Sequence, residues 1–263
     1  VTYETIVFVE EGGIAHLQLA RPDALNALNR PLLGEVIDAL DRVRDGGNVR
    51  VLLLTGKGRG FSSGADLSSG GIPQEPGLLD AGQVLEDYYN PLIERMFALP
   101  VPIVAGVHGA VAGAACMLAL AADITVAAQS AFFLQAFAKV GLVPDAGSLW
   151  LLPRLIGRAR AQAMMMLAER IPAATALDWG MIYEVVDEDA LYSRVNSIAH
   201  KLARGPTRAY AMIRQGVRLA SEQTLSDALA LERRLQKEAG ETCDFQEGVA
   251  AFREKRPPNF TGA

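Results

Sequence analysis

The sequence predicts an α/β fold with largely parallel strand pairing, followed by an all-helical C-terminal part. Three observations carry this. The apolar runs at 49–55, 103–107 and 124–127 are continuous rather than alternating, as in strands buried on both faces. Helical segments lie between such runs through about residue 187. From Leu191 onward only helical spacing recurs. The expected organisation is a core over 1–204 and a helical region over 205–263. That region cannot bury a core of its own and packs on the α/β part or on a neighbouring subunit.

Residues 5–10 and 14–19 read as a hairpin around Glu11-Gly12-Gly13. Ala15, Leu17 and Leu19 alternate with His16 and Gln18, so His16 is expected to face solvent. The turn-rich segment R-P-D-A-L-N-A-L-N, residues 21–29, has no evident structural reason for its length. Pro31 opens a helix with Leu32, Leu33, Val36, Ile37, Leu40 and Val43 on one face, and Gly46-Gly47 stop it. The strand at 49–55 runs into G-K-G-R-G-F-S-S-G-A-D-L, residues 56–67, a glycine-rich exit that does not fit a phosphate loop. Residues 68–82 are Gly/Pro/Ser-rich and read as a mobile loop. A helix over 83–99 is broken or restarted at Pro91, with Tyr88 and Tyr89 either lining a pocket or packed in the core. Pro206 begins one late helix, and Thr224 with Asp227 forms a capping-box pattern for another. Phe245, Val249 and Phe252 stripe the last.

Net charge of −5 with no basic block argues against a dedicated nucleic-acid binder. The longest apolar run, around 110–122, is too short and Ala-rich to span a bilayer, and no signal-peptide pattern is read. Cys116 and Cys243 lie far apart, and the histidines do not cluster. Neither a disulfide framework nor a metal site is expected, which suits a reducing cytoplasm.

Residues 102–123 organise the chain. A β-branched run crosses a turn of small residues, Gly109 to Gly113, into an Ala/Leu/Met helix ending at Asp123. Such a corner either allows close helix-on-strand packing or aims unpaired N–H groups at a ligand. With the turn at 56–67, it supplies two sets of peptide donors that could stabilise an enolate oxygen, each donor worth about 3–4 kcal/mol in a dry site. The candidate base is Asp145, flanked by Val143, Pro144, Ala146 and Trp150. Apolar company would raise its pKa toward neutrality. Its position before Gly147-Ser148 equally allows a helix N-cap.

R-P-D-A-L-N-A-L at 21–28, F-S-S-G-A-D-L at 61–67, V-H-G-A-V-A-G-A-A at 107–115 and A-F-R-E-K-R at 251–256 together resemble the enoyl-CoA hydratase/isomerase (crotonase) family over essentially the whole chain. The resemblance implies a crotonase-like (ClpP/crotonase) spiral of repeated ββα units with a C-terminal helical trimerisation region, as a homotrimer or hexamer. It implies an acyl-CoA thioester substrate, with CoA as part of the substrate and no separate cofactor. By position, the N–H groups of Ala65 and Ala114 would be the oxyanion donors. Asp23, Ala24 and Leu25, with Ala65, Asp66, Leu67 and Ser68, would contact CoA. Phe252 and Lys255 would close on its nucleotide end, from the same or another subunit. The family's hydratases carry two water-activating glutamates, whose positions fall here on Met117 and Phe137. One carboxylate suffices to move a proton between two carbons, so the resemblance points to an isomerase with Asp145 as shuttle and Met117, Phe137 and Trp150 as acyl pocket. The stretches 89–93, 136–147, 150–154, 178–182 and 247–252 look closest to an isomerase of the family from phenylacetate catabolism. A hydratase with atypical water activation and a non-catalytic acyl-CoA- or RNA-binding relative are the alternatives.

Overall fold

A computed structural model describes residues 2–68 and 80–263. Of the loop expected at 68–82, residues 69–79 lie outside the described residues. The hairpin forms from β1 (Ile6–Glu11) and β2 (Ile14–Leu19), paired antiparallel. α1 (Arg30–Gly46) follows; Asn29 caps it by accepting the Leu32 N–H, and Gly47 ends it in the left-handed region. β3 (Val51–Gly56) then pairs parallel to β2.

A single π turn at Leu85–Tyr89 leads into α2 (Asn90–Ala98), with Pro91 in its first turn. The backbone is already helical at Val84, Tyr89 and Asn90, so Pro91 starts no new helix; the chain passes into α2 through the π turn just before the proline, which takes up the hydrogen bond it cannot make. β4 (Ile103–Val107), β5 (Ala110–Ala112) and α3 (Ala114–Leu120) make up the central stretch. Part of the expected turn of small residues is therefore a short strand, because it pairs with β7 (Phe132–Leu134). The chain reaches β7 through β6 (Ile124–Ala128), then runs into α4 (Ser148–Leu167), which is interrupted at Gly157. β8 (Ile171–Pro172), α5 (Ala173–Asp178), β9 (Glu184–Val186) and α6 (Leu191–Ala203) complete the core.

The large sheet has the order β1-β2-β3-β4-β6-β9, with every pair after the first parallel. The small sheet is β5-β7-β8. Ser62 extends it by bridging to Val111, and Leu28 bridges to Ala65 beyond that. Successive turns of the chain thus bond side by side: a long strand in one sheet, a short strand or bridge in the other, then a helix. This is the repeated ββα spiral that the resemblance implied.

One face of the large sheet buries Leu17, Leu52, Leu54 and Ile103 with the apolar sides of α1, α2, α3 and α4. The other face, with Ile14, Val51, Leu53 and Val104, is covered by Val195, Ile198 and Ala199 of α6. His16 corrects an expectation here. It is half-buried rather than solvent-facing, and burial lowers its pKa, with Glu11 opposing and His200 of α6 adding to that shift. Alternation in β2 marked two different faces, but α6 covers the second.

α7 (Thr207–Ala220), α8 (Leu225–Gly240) and α9 (Cys243–Glu254) form the C-terminal part. Thr224 caps α8 through the Asp227 N–H, as the pattern predicts. Two arginines fasten this part to the core. Arg214 of α7 donates to the carbonyls of Met96, Leu99 and Val101 and pairs with Asp123. Arg50 donates to Thr207, Gly205 and Phe260. Among the described residues no helix is long and apolar enough to cross a membrane.

Candidate active site

The segment 21–29 has a structural purpose that its sequence did not disclose. Asn26 is fully buried with a left-handed backbone, which Asn tolerates better than most residues. Its amide nitrogen donates to the carbonyls of Lys57, Gly60 and Phe61, and its oxygen accepts the Arg21 N–H. The Ser62 hydroxyl returns a bond to the Asn26 carbonyl. One side chain therefore fastens this segment to the glycine-rich exit of β3.

The same junction orients Ala65. Leu28 donates to the Gly64 carbonyl and accepts from the Asp66 N–H. In a parallel bridge of this kind the intervening residue turns its own N–H away from the partner strand. Ala65 is solvent-accessible, and its N–H meets no backbone acceptor among the described residues. Ala114 is the first residue of α3, and its N–H is likewise unpaired there. The two turns are in van der Waals contact. A Cβ on Gly64, whose φ is +91°, would lie 2.7 Å from the Ala112 oxygen, and one on Gly113 would lie 3.8 Å from the Gly64 Cα. Only glycine at position 64 permits this approach. The adjacent N–H groups of Ala65 and Ala114 are thereby brought to one locality.

The Phe137 ring borders that locality: its Cζ would stand 3.8 Å from a Cβ on Gly113. Met117 is fully buried on α3. Trp150 is occupied differently. It stacks edge-on against Phe97 at 5.6 Å and carries the Arg154 guanidinium over its face at 4.2 Å, so its ring serves the packing of α4 on α2.

Asp145 does not cap α4. Gly147 holds the N-cap position and no side chain caps the helix. Ala146 and Gly147 both have positive φ, and in this sharp turn the Ser148 N–H goes to the Asp145 backbone carbonyl rather than to its carboxylate. Its Oδ1 is buried without a hydrogen-bond partner, and burial raises its pKa to about 6. Tyr89, which the sequence left between pocket and core, is buried; its pKa is raised by burial and further by the charges of Asp145 and Asp66. The phenol thus lies within electrostatic reach of both carboxylates, linking the Asp145 turn to the Ala65 turn. Ser148 is fully buried as well, with no partner for its Oγ.

The residues assigned to CoA divide in two. Asp23 is exposed, and Ala24 and Leu25 are half-buried, on the segment that Asn26 anchors. Leu67 and Ser68 are exposed beside Ala65. Asp66 has its carboxylate held down to about pKa 2 by the Ser68 hydroxyl and by Arg21, against the opposing effect of burial. Its role as seen is to fix the 66–68 turn and to tie it to Arg21. Phe252, 85% exposed, and Lys255 stand at the far end of α9, which packs on α8. Asn26, Arg21, Tyr89 and Ser148 were not assigned from sequence. Burial of a polar side chain singles out Asn26 and Ser148, the bonds to Ala27 and Asp66 single out Arg21, and burial within reach of two carboxylates singles out Tyr89. Among the described residues no three His, Cys, Asp or Glu side chains gather as metal ligands.

Comparison with known proteins adds the following. The family model described as enoyl-CoA hydratase/isomerase matches residues 9–263. The chain is 42% identical to the 1,2-epoxyphenylacetyl-CoA isomerase of Escherichia coli, over 98% of this chain and 99% of that one. It is 45% identical to a probable enoyl-CoA hydratase of Rhodobacter capsulatus over the full length of both. A solved enoyl-CoA hydratase/isomerase structure from Mycobacterium abscessus superposes with a TM-score of 0.93 at 37% identity, covering 98% of this chain and all of that one.

Proposed function

This chain belongs to the enoyl-CoA hydratase/isomerase family, and from that premise we propose that it is an acyl-CoA isomerase working through one carboxylate. The thioester carbonyl oxygen accepts hydrogen bonds from the Ala65 and Ala114 N–H groups. Asp145, ionised, takes a proton from an acidic carbon of the acyl group; the C–H pair becomes an enolate whose charge the two peptide donors hold. Asp145 then returns the proton to a different carbon of the same conjugated system, and the double bond moves. Peptide donors suit this step because they are fixed and cannot titrate; each is worth about 3–4 kcal/mol in a dry site.

The observation that carries the reading is the buried, unpartnered Oδ1 of Asp145, in a chain that has Met117 and Phe137 where the resemblance places the hydratases' glutamates. An epoxide-bearing phenylacetyl thioester is the favoured substrate. The E. coli relative's name supports it, and so does the Phe137 ring beside the donor turns. CoA lies along 23–25 and 65–68, and Phe252 and Lys255 reach its nucleotide end from a neighbouring subunit of a trimer or hexamer in the cytoplasm. The exposure of Phe252 favours a contribution across subunits.

The deciding experiment is turnover by the purified protein of a 3-enoyl-CoA and of epoxyphenylacetyl-CoA, for wild type and Asp145→Asn. Wild-type isomerisation that falls by about 10²–10⁴-fold in the variant, with CoA affinity kept, is expected. Near-normal turnover in Asp145→Asn removes the assigned role. A second reading, hydration, is favoured by the similarity to the R. capsulatus protein. It predicts loss of the conjugated-thioester absorbance of crotonyl-CoA. Tight CoA binding without turnover of any enoyl, dienoyl or epoxy thioester would instead mark a binding protein.

A further inference from the structure

Two hydroxyl groups near the assigned proton shuttle have no use in the mechanism above. Ser148 is 0% exposed and its Oγ is buried with no hydrogen-bond partner; Tyr89 is 2% exposed as a residue, and its hydroxyl bonds to no described residue but is not sealed from solvent. Neither belongs to a cap, since the first turn of α4 is left without any side-chain cap and Tyr89 closes the π turn before α2. Left unpaired, a buried hydroxyl such as that of Ser148 forfeits its bonds to water with no return, and the Tyr89 hydroxyl has only water to bond.

Both lie at one junction. Tyr89 and Ile93 are four residues apart on a continuous helical line, so they share a face. Gly147 packs on that face: a Cβ there would stand 3.7 Å from the Ile93 Cγ2. The turn that carries Asp145 and Ser148 therefore abuts the line that carries Tyr89, and the Asp145 charge is felt at the Tyr89 hydroxyl. The surrounding side chains, Leu92, Ile93 and Ala146, are apolar and buried. A hydroxyl can donate, whereas the ionised Asp145 can only accept. One sealed spare donor and one donor open to solvent, at the junction that also carries the Asp145 acceptor and is otherwise apolar, describe a place for an oxygen atom that arrives with the substrate.

We propose that Tyr89 and Ser148 form a second hydrogen-bonding point, for an epoxide, ether or hydroxyl oxygen carried on the acyl group, so that this site selects oxygen-bearing acyl thioesters over hydrocarbon ones. The proposal rests on the acyl-CoA reading but not on which reaction follows binding.

The test is calorimetric titration of the full-length protein with phenylacetyl-CoA and with 2-hydroxyphenylacetyl-CoA. Wild type should bind the hydroxylated ligand about tenfold more tightly, the scale of one or two buried hydrogen bonds. Tyr89→Phe and Ser148→Ala, which keep shape, should each erode that preference, and the double variant should bind the two ligands equally, with its phenylacetyl-CoA affinity within about twofold of wild type. Equal wild-type affinities, a preference that survives the double variant, or a parallel loss for both ligands would each overturn the proposal. If Ser148→Ala does not fold, Ser148→Cys and Tyr89→Phe decide it on the same ratio. Failure to bind either thioester overturns the acyl-CoA reading and this one together. Binding with the stated preference but no isomerisation overturns only the isomerase assignment.

Discussion

At Asp145 a single carboxylate gives up solvation on one oxygen and gains no hydrogen bond there in return. Its pKa, raised by burial to about 6, sets the pH range in which it can accept a proton. The rate constant kcat/KM should rise with pH through an acid limb near 6, and that limb should vanish from whatever activity remains in Asp145→Asn. The same shift has a cost in stability. A carboxyl whose pKa is higher in the folded than in the unfolded chain binds its proton more tightly when folded. Stability therefore falls as pH rises from about 4, the unfolded value, through about 6. Relative to Asp145→Asn, wild type should lose about 2 kcal/mol across that window, read by urea denaturation at pH 4 and pH 7. A stability difference that does not change with pH would deny the burial of the charge.

At the scale of elements, the donor locality is made by three neighbouring stretches that are remote in sequence. Asn26→Ala would leave the carbonyls of Lys57, Gly60 and Phe61 and the Arg21 N–H without their partner, and would put Ala at a left-handed position. A loss of about 3 kcal/mol in thermal or denaturant unfolding is expected. A loss under about 0.5 kcal/mol, typical of surface changes, would mean that the staple does not matter. Gly64→Ala should act more locally. Its Cβ would press on the Ala112 oxygen at 2.7 Å and force the two turns apart. Under the proposed roles turnover should fall by about 10²-fold or more, and CoA affinity by a smaller factor, because the displaced turn carries both the Ala65 N–H and the residues 65–68 assigned to CoA. Steady-state kinetics alongside CoA titration would separate the two effects.

Across the whole molecule, the C-terminal helices depend on the core for their place. Arg214, with its side chain only 9% exposed, joins α7 to three carbonyls and to Asp123, and Asp123 in turn accepts the Ile103 N–H at the start of β4. Arg214→Met would strand these acceptors. It should cost about 3 kcal/mol or more and expose the segment from α7 onward to limited proteolysis before the core is cut. Cleavage spread evenly along the chain would argue that the two parts unfold as one. Ile213 and Val217 on α7, Leu229 on α8 and Phe245 on α9 remain exposed in the single chain. Their burial between subunits is the expectation, and sedimentation velocity should find a trimer or its double.

Periodicity and punctuation made most elements legible in advance. The hairpin, the bounds of α1 at Pro31 and Gly46-Gly47, the buried parallel strands and the Thr224 cap all rest on neighbours within a few residues, which is the range over which local propensity and hydrogen bonding act. The motifs at 21–28, 61–67 and 107–115 likewise sufficed to place the chain in its family. What sequence could not give was anything that depends on contact between distant segments. It offered no reason for residues 21–29, because the carbonyls that Asn26 serves lie over thirty positions away. It left Asp145 divided between cap and base, because only the paired left-handed residues Ala146 and Gly147 give the Ser148 N–H to the Asp145 carbonyl and leave its carboxylate out of the cap. It put His16 in solvent, because alternation records that two faces differ but not that α6 covers the second. Local chemistry thus determined the elements and the donor types; burial and the meeting of remote turns, which exist only once the chain is folded, decided which of those donors stand together and which carboxylate is kept short of water.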